Sequence, residues 1–166
     1  MSDTSLLTTK NLPETTVVAV TRQVTISEIS PTAEVCVPEL YQAAKNANLS
    51  VIGPCTFIYD GCNSDGTTPI YLTIAIPVDA PPDTVITDAA IADIHICQLP
   101  PCQCVCIQHT GGIDNISDTY QKIFEQANSK NIKLHCEHTR EVYHHWVDYD
   151  STDNQTEIQV AIDPAA

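Results

Sequence analysis

Short β-branched and apolar runs bounded by turn residues mark strands along this chain, and two stretches show helical spacing instead. A β-branched run bounded by Pro13 predicts a strand over 16–22. Ser30-Pro31 offers a cap with proline at the first helical position, and Val35, Leu40, Ala43, Ala44 and Ala47 follow at helical spacing to Asn48. Pro38 inside that stretch predicts a break, or a short turn before the main helix. Gly53-Pro54 reads as a turn, 55–59 as a strand, 61–69 as a hairpin loop and 70–78 as a long apolar strand. Residues 79–88, carrying Pro81-Pro82 between acids, read as a linker. The pattern then restarts with an extended piece over 94–97, a turn at Pro100-Pro101, a strand over 103–109 and a turn at Gly111-Gly112. A helix starting near Ser117-Asp118 follows, with Ile116, Tyr120, Ile123, Phe124 and Ala127 as its apolar stripe and Asn131 near its end. Strands over 140–148 and 156–162, joined by the polar loop 150–155, close the chain.

The two halves share an order of strand, helix, turn, strand, hairpin, strand. Ala43-Ala44-Lys45-Asn46-Ala47-Asn48 matches Gln126-Ala127-Asn128-Ser129-Lys130-Asn131, Tyr59 falls near Tyr143, and Ile74-Ala75-Ile76-Pro77 falls near Val160-Ala161-Ile162-Asp163. The expected fold class is α+β: two βαββ repeats with pseudo-twofold symmetry, forming one curved antiparallel sheet with helices on one face and a ligand cleft on the other. Residues 1–12 read as a polar tail or edge segment, and 13–166 as a single domain with repeat one about 13–79, a linker over 80–92 and repeat two about 93–164.

Composition narrows the function. The 166 residues, 43% hydrophobic, supply one domain's worth of core. No apolar run is long enough to cross a bilayer and no signal peptide is evident, so a soluble cytoplasmic protein is expected. Seven Lys plus Arg against 21 Asp plus Glu give a net charge of −14, which repels phosphate backbones and draws in cations over roughly 8–10 Å. The eight cysteines read as reduced thiols. Cys102, Cys104 and Cys106 fall on one strand face, a row that does not converge tetrahedrally as a zinc site requires. Buried small hydrophobes are the favoured reading for these thiols. His135 and His138 bracket Glu137 without a third ligand nearby in sequence, and neither a metal nor a cofactor is expected.

Candidate chemistry sits in two late stretches. In Arg140-Glu141-Val142-Tyr143, period two puts Glu141 and Tyr143 on one face; in Thr156-Glu157-Ile158-Gln159-Val160, Glu157 and Gln159 share a face. Pairing the two strands is expected to gather two carboxylates and a tyrosine on one sheet face. Acids on an inner face are costly unless compensated, and a bound cation or a proton is the natural compensation. Arg140 points away from its neighbour Glu141 and is a poor partner for it.

The order of elements, with His109-Thr110-Gly111-Gly112-Ile113-Asp114, the helix containing Tyr120, Arg140-Glu141-Val142-Tyr143 and Thr156-Glu157-Ile158-Gln159, resembles the GyrI-like effector-binding domain. That family includes the ligand domains of AraC-type and multidrug-responsive MerR-type regulators, and stand-alone copies. The resemblance spans about 12–164 and implies an aromatic-lined pocket between the repeats. It places Glu141 at the pocket floor, Tyr143 and Glu157 beside it, and Phe57 and Tyr59 in the wall. Lipophilic cations are the ligands the resemblance implies, and ring faces add about 0.5–2 kcal/mol each to charge pairing. Trp146 is a cap for this pocket or an edge aromatic, and Tyr120 a core residue whose hydroxyl reaches the site or does not.

Three functions stay open. The first is a stand-alone binding module for amphipathic, cationic aromatic compounds. The second is a hydrolase with Glu141 as base and Tyr143 or Tyr120 as its partner. The third is an acidic inhibitor of a target enzyme. The expected partners are a small amphipathic or cationic molecule, with a homodimer or a separate regulatory protein left open; no direct nucleic acid, since no helix-turn-helix precedes the domain, and no membrane.

Overall fold

The computed structural model describes residues 6–61, 68–81, 83–87, 89 and 91–163. Parts of the expected tail (1–5), hairpin loop (62–67), linker (82, 88, 90) and C-terminus (164–166) lie outside the described residues. In chain order the strands and helices are β1 (Thr8–Leu12), β2 (Thr15–Val24), α1 (Ile29–Asn46), β3 (Ser50–Val51), β4 (Thr56–Asp60), β5 (Ile70–Asp79), β6 (His95–Leu99), β7 (Cys102–Thr110), α2 (Ile116–Ser129), β8 (Leu134–His145) and β9 (Gln155–Ile162). Among them no helix is long and apolar enough to cross a membrane.

Residue contacts divide the chain into two compact units, Pro13–Pro101 and Met1–Leu12 with Cys102–Ala166. Each sets one helix on an antiparallel sheet, so the fold is α+β. In the first unit β5 pairs with β2 and β4, and β2 also takes β6. Val18, Val20, Leu72, Ile74 and Ile76 are buried on the α1 side, along with Leu40 and Ala43 of the helix. Val17, Ala19, Ile58 and Ala75 cluster on the opposite face. In the second unit β9 pairs with β7 and β8, and β7 also takes β1. Val105, Ile107, Ile158 and Val160 pack there against Ile123 and Ala127 of α2.

One edge strand departs from the sequence expectation and the other bears out the edge-segment alternative. Residues 8–12, read as tail or edge segment, form β1 against β7, and β6, read as opening the second repeat, pairs with β2. Strand β1 thus belongs to the unit that holds β7, and β6 to the unit that holds β2. Helix α1 begins earlier than Ser30-Pro31 predicts. A 3₁₀ turn over Ile26–Glu28 precedes it, and Glu28 accepts hydrogen bonds from the Thr25 N–H and hydroxyl at 2.8 and 2.9 Å. Pro31 then falls in the first turn, where a missing N–H is tolerated. Nor does Pro38 break the helix: Cys36 before it and Leu40, Ala43 and Ala44 after it are all buried, which holds both sides in one line. In α2 the buried positions are Thr119, Ile123 and Ala127, while Phe124 turns outward at 42% exposure.

Registers give the repeat its alignment. Val20–Ile74–Phe57 in one sheet corresponds to Ile107–Ile158–Glu141 in the other, and Arg22–Leu72–Tyr59 to His109–Thr156–Tyr143. Ile74 thus matches Ile158, two residues from the sequence-based match with Val160. A two-residue slip preserves in–out alternation, so the hydrophobic pattern alone does not detect it. Both helices end alike: Leu49 N–H bonds to Ala44 O and Ile132 N–H to Ala127 O, each at 2.9 Å, with Asn48 and Asn131 left-handed at φ 57°.

Candidate functional site

Glu141 lies opposite Ile158, which packs against α2, so Glu141 occupies the helix-bearing face of its sheet. The Tyr120 hydroxyl reaches down from α2 and donates to Glu141 Oε2 at 2.5 Å. On the same strand the Tyr143 hydroxyl donates to Oε1 at 2.7 Å. Glu141 is 7% exposed. Hydrogen bonds to an ionised acceptor are about twice as strong as neutral ones, so the two hydroxyls fix the carboxylate's plane. A register irregularity follows Tyr143, and beyond it Trp146 stands edge-on to the Tyr143 ring, centroids 5.6 Å apart and planes at 85°. Trp146 is 47% exposed, which leaves much of the indole open. Thr156 sits across from Tyr143 on the same face, fully buried, and its Oγ1 has no hydrogen-bond partner among the described residues.

Glu157 is not part of this group. It pairs with Val142, one residue out of phase with Glu141, and so points to the helix-free face. The expectation of two carboxylates on one face is overturned by this single-residue register difference, since side-chain direction alternates at every step. Lys10 Nζ approaches Glu157 Oε2 at 2.9 Å, Gln159 Nε2 donates to the same oxygen at 2.8 Å, and His144 Nε2 lies 3.2 Å from Oε1. Burial pushes the Glu157 carboxyl up, but these hydrogen bonds and the Lys10 charge outweigh it and hold it below the usual carboxylate value. Lys10 in turn is raised, chiefly by its bond to Glu157. Arg140 shares this face opposite Gln159; it is buried, and its Nε has no hydrogen-bond partner among the described residues.

The structure therefore brings together Glu141, Tyr143, Tyr120 and Trp146, and separates Glu157 from them. Phe57 and Tyr59 belong to β4 of the other unit, at the register positions of Glu141 and Tyr143. Sequence reading missed Thr156 and Lys10. Thr156 follows from knowing that Tyr143 pairs with it, and Lys10 from the β1–β7 pairing; neither register is written in local sequence. Among the described residues no three His, Cys, Asp or Glu converge as a metal site; the Glu137 side chain lies outside them.

The sequence model of a family described as "GyrI-like small molecule binding domain" matches residues 8–163. No curated protein matches the chain. Among solved structures the EcmrR C-terminal domain is similar at a TM-score of 0.77 and 18% identity, over 97% of this chain and 99% of that one. SAV2435 bound to tetraphenylphosphonium is similar at 0.64 and 15%, over 96% and 95%. A hydrolase from Listeria innocua is similar at 0.69 and 13%, over 95% and 91%.

Proposed function

Because this chain belongs to the GyrI-like family of small-molecule binding domains, we propose that it binds amphipathic aromatic cations at Glu141. The observation that carries this reading is the buried Glu141 carboxylate with a tyrosine hydroxyl on each oxygen. A carboxylate held this way presents negative charge in a fixed direction inside a protein, where a cation experiences it strongly. Tyr143 and the half-exposed Trp146 supply ring faces beside it, and the unpartnered Thr156 hydroxyl supplies a polar contact. The net charge of −14 favours approach of cations. The tetraphenylphosphonium complex of SAV2435 supports the same class of ligand.

A thermal-shift titration with tetraphenylphosphonium and a neutral tetraphenyl analogue tests this. At 100 times its Kd a ligand adds about 2.7 kcal/mol to stability. Stabilisation by the cation alone, lost in Glu141→Gln, is expected; equal response to both compounds, or none to either, overturns the reading. A second reading, hydrolysis with Glu141 as base, draws on the same tyrosine-oriented carboxylate and on the similar Listeria hydrolase. It requires turnover that vanishes in Glu141→Gln.

A further inference from the structure

Cys104 and Cys106 are buried on the helix-free face of the second unit, and their sulfurs lie 3.6 Å apart. Cys102, the third thiol of the row, turns instead to the Gln103 carbonyl oxygen at 3.6 Å. A disulfide is a poor fit for the close pair. Residues i and i+2 of an antiparallel strand are about 6.8 Å apart, whereas disulfide-bonded Cβ atoms approach to about 3.8 Å. A bridging atom fits without moving the strand. At a metal–thiolate length of about 2.3 Å, two sulfurs 3.6 Å apart subtend roughly 100° at the bridge. That angle suits a pyramidal or tetrahedral centre and excludes a linear one. A tetrahedral zinc needs further protein ligands, and no third His, Cys, Asp or Glu converges among the described residues.

We propose that Cys104 and Cys106 form a two-thiol site for a monosubstituted trivalent arsenical, whose own organic group provides the third bond of a pyramidal centre. With phenylarsine oxide, two arsenic–sulfur bonds form and the arsenic–oxygen bond is lost. The oxygen leaves as water carrying both thiol protons, and no oxidation state changes. The surroundings assist loss of the first proton. The contact between the two sulfurs, aided by the Arg140 and Lys10 charges, pulls the Cys104 thiol below its usual value against the effect of burial, while the same contact and burial push Cys106 up. Arg140 Nε is buried there without a hydrogen-bond partner among the described residues. The edge strand β1 places Lys10 beside Cys104 and Thr8 beside Cys106, and four of its five residues are exposed. Fraying of β1 opens the thiols to solvent.

The test is phenylarsine oxide added to the reduced full chain, followed by alkylation with iodoacetamide under denaturing conditions and peptide mapping. One equivalent is expected to bind, to protect Cys104 and Cys106 together, and to be released by an excess of a small 1,2-dithiol but not by a monothiol. Cys104→Ser and Cys106→Ser should each abolish binding, and Cys102→Ser should leave it intact. Because the mapping uses the unmodified sequence, it stands even if a variant fails to fold. Absence of binding, protection of another cysteine pair, or binding that survives both single substitutions overturns the proposal.

Discussion

The Tyr120–Glu141–Tyr143 group makes a quantitative prediction. Tyr120→Phe removes a single hydroxyl and leaves the ring packed against the core cluster around Ile123. Glu141 then keeps the 2.7 Å bond from Tyr143 but loses the 2.5 Å bond from α2. A hydrogen bond to a charged group contributes about 1.5–3 kcal/mol, and Glu141 is too buried for water to substitute freely. For a chain of this length, each kcal/mol shifts the melting temperature by about 2–4 °C, so a fall of roughly 3–12 °C is expected. The control is the same change in a Glu141→Leu background, where the hydroxyl has lost its acceptor. There Tyr120→Phe should cost little, leaving a coupling of about 1–3 kcal/mol between the two sites. Calorimetry and urea midpoints on the four chains measure it. An equal cost of Tyr120→Phe in both backgrounds would refute the hydrogen bond as the source of the effect.

Pro38 removes one intrahelical hydrogen bond from the middle of α1, so Pro38→Ala should stabilise by about 1–3 kcal/mol in urea unfolding. Asn48 and Asn131 both hold φ 57°, a conformation that costs an ordinary side chain about 1–2 kcal/mol. Alanine should therefore destabilise at either position while glycine is tolerated, as paired melting curves will show; alanine performing as well as glycine contradicts the assignment. Glu157 titrates below 4.5 in the fold, so its stabilisation is present at neutral pH and disappears as pH falls through that lowered value. Melting temperature followed from neutral pH downward should fall less steeply below about pH 4.5 in Glu157→Gln than in the parent chain.

Element types and their order were legible because alternation and helical spacing are local. The helix ends at Asn48 and Asn131 and the faces of Glu141 and Arg140 follow from period alone. Four features were not. Pro38 reads as a break until the burial of Cys36 and Leu40 on either side is known. The Thr25–Glu28 cap outcompetes the more familiar Ser30-Pro31 signal. The placement of β1 and β6 depends on contacts between distant segments, Thr8 with Cys106 and Val17 with Cys97. The relation of Glu141 to Glu157 depends on a register in which one step reverses the outcome.

Comparison of the two units shows which polar groups the fold itself requires. Ile74 and Ile158 occupy the same place between their neighbours, and Phe57 fills in one sheet the place that Glu141 fills in the other. Leu72 stands where Thr156 stands. One copy thus meets these positions with hydrocarbon, and the other with a carboxylate and a hydroxyl that has no partner among the described residues. A sheet-and-helix layer of this geometry closes without them, and replacing buried charged groups by apolar ones is often neutral or stabilising. Glu141 and Thr156 are consequently not explained by the stability of the layer they sit in. The ligand-binding role proposed above accounts for their convergence on one face, beside Tyr143 and Trp146.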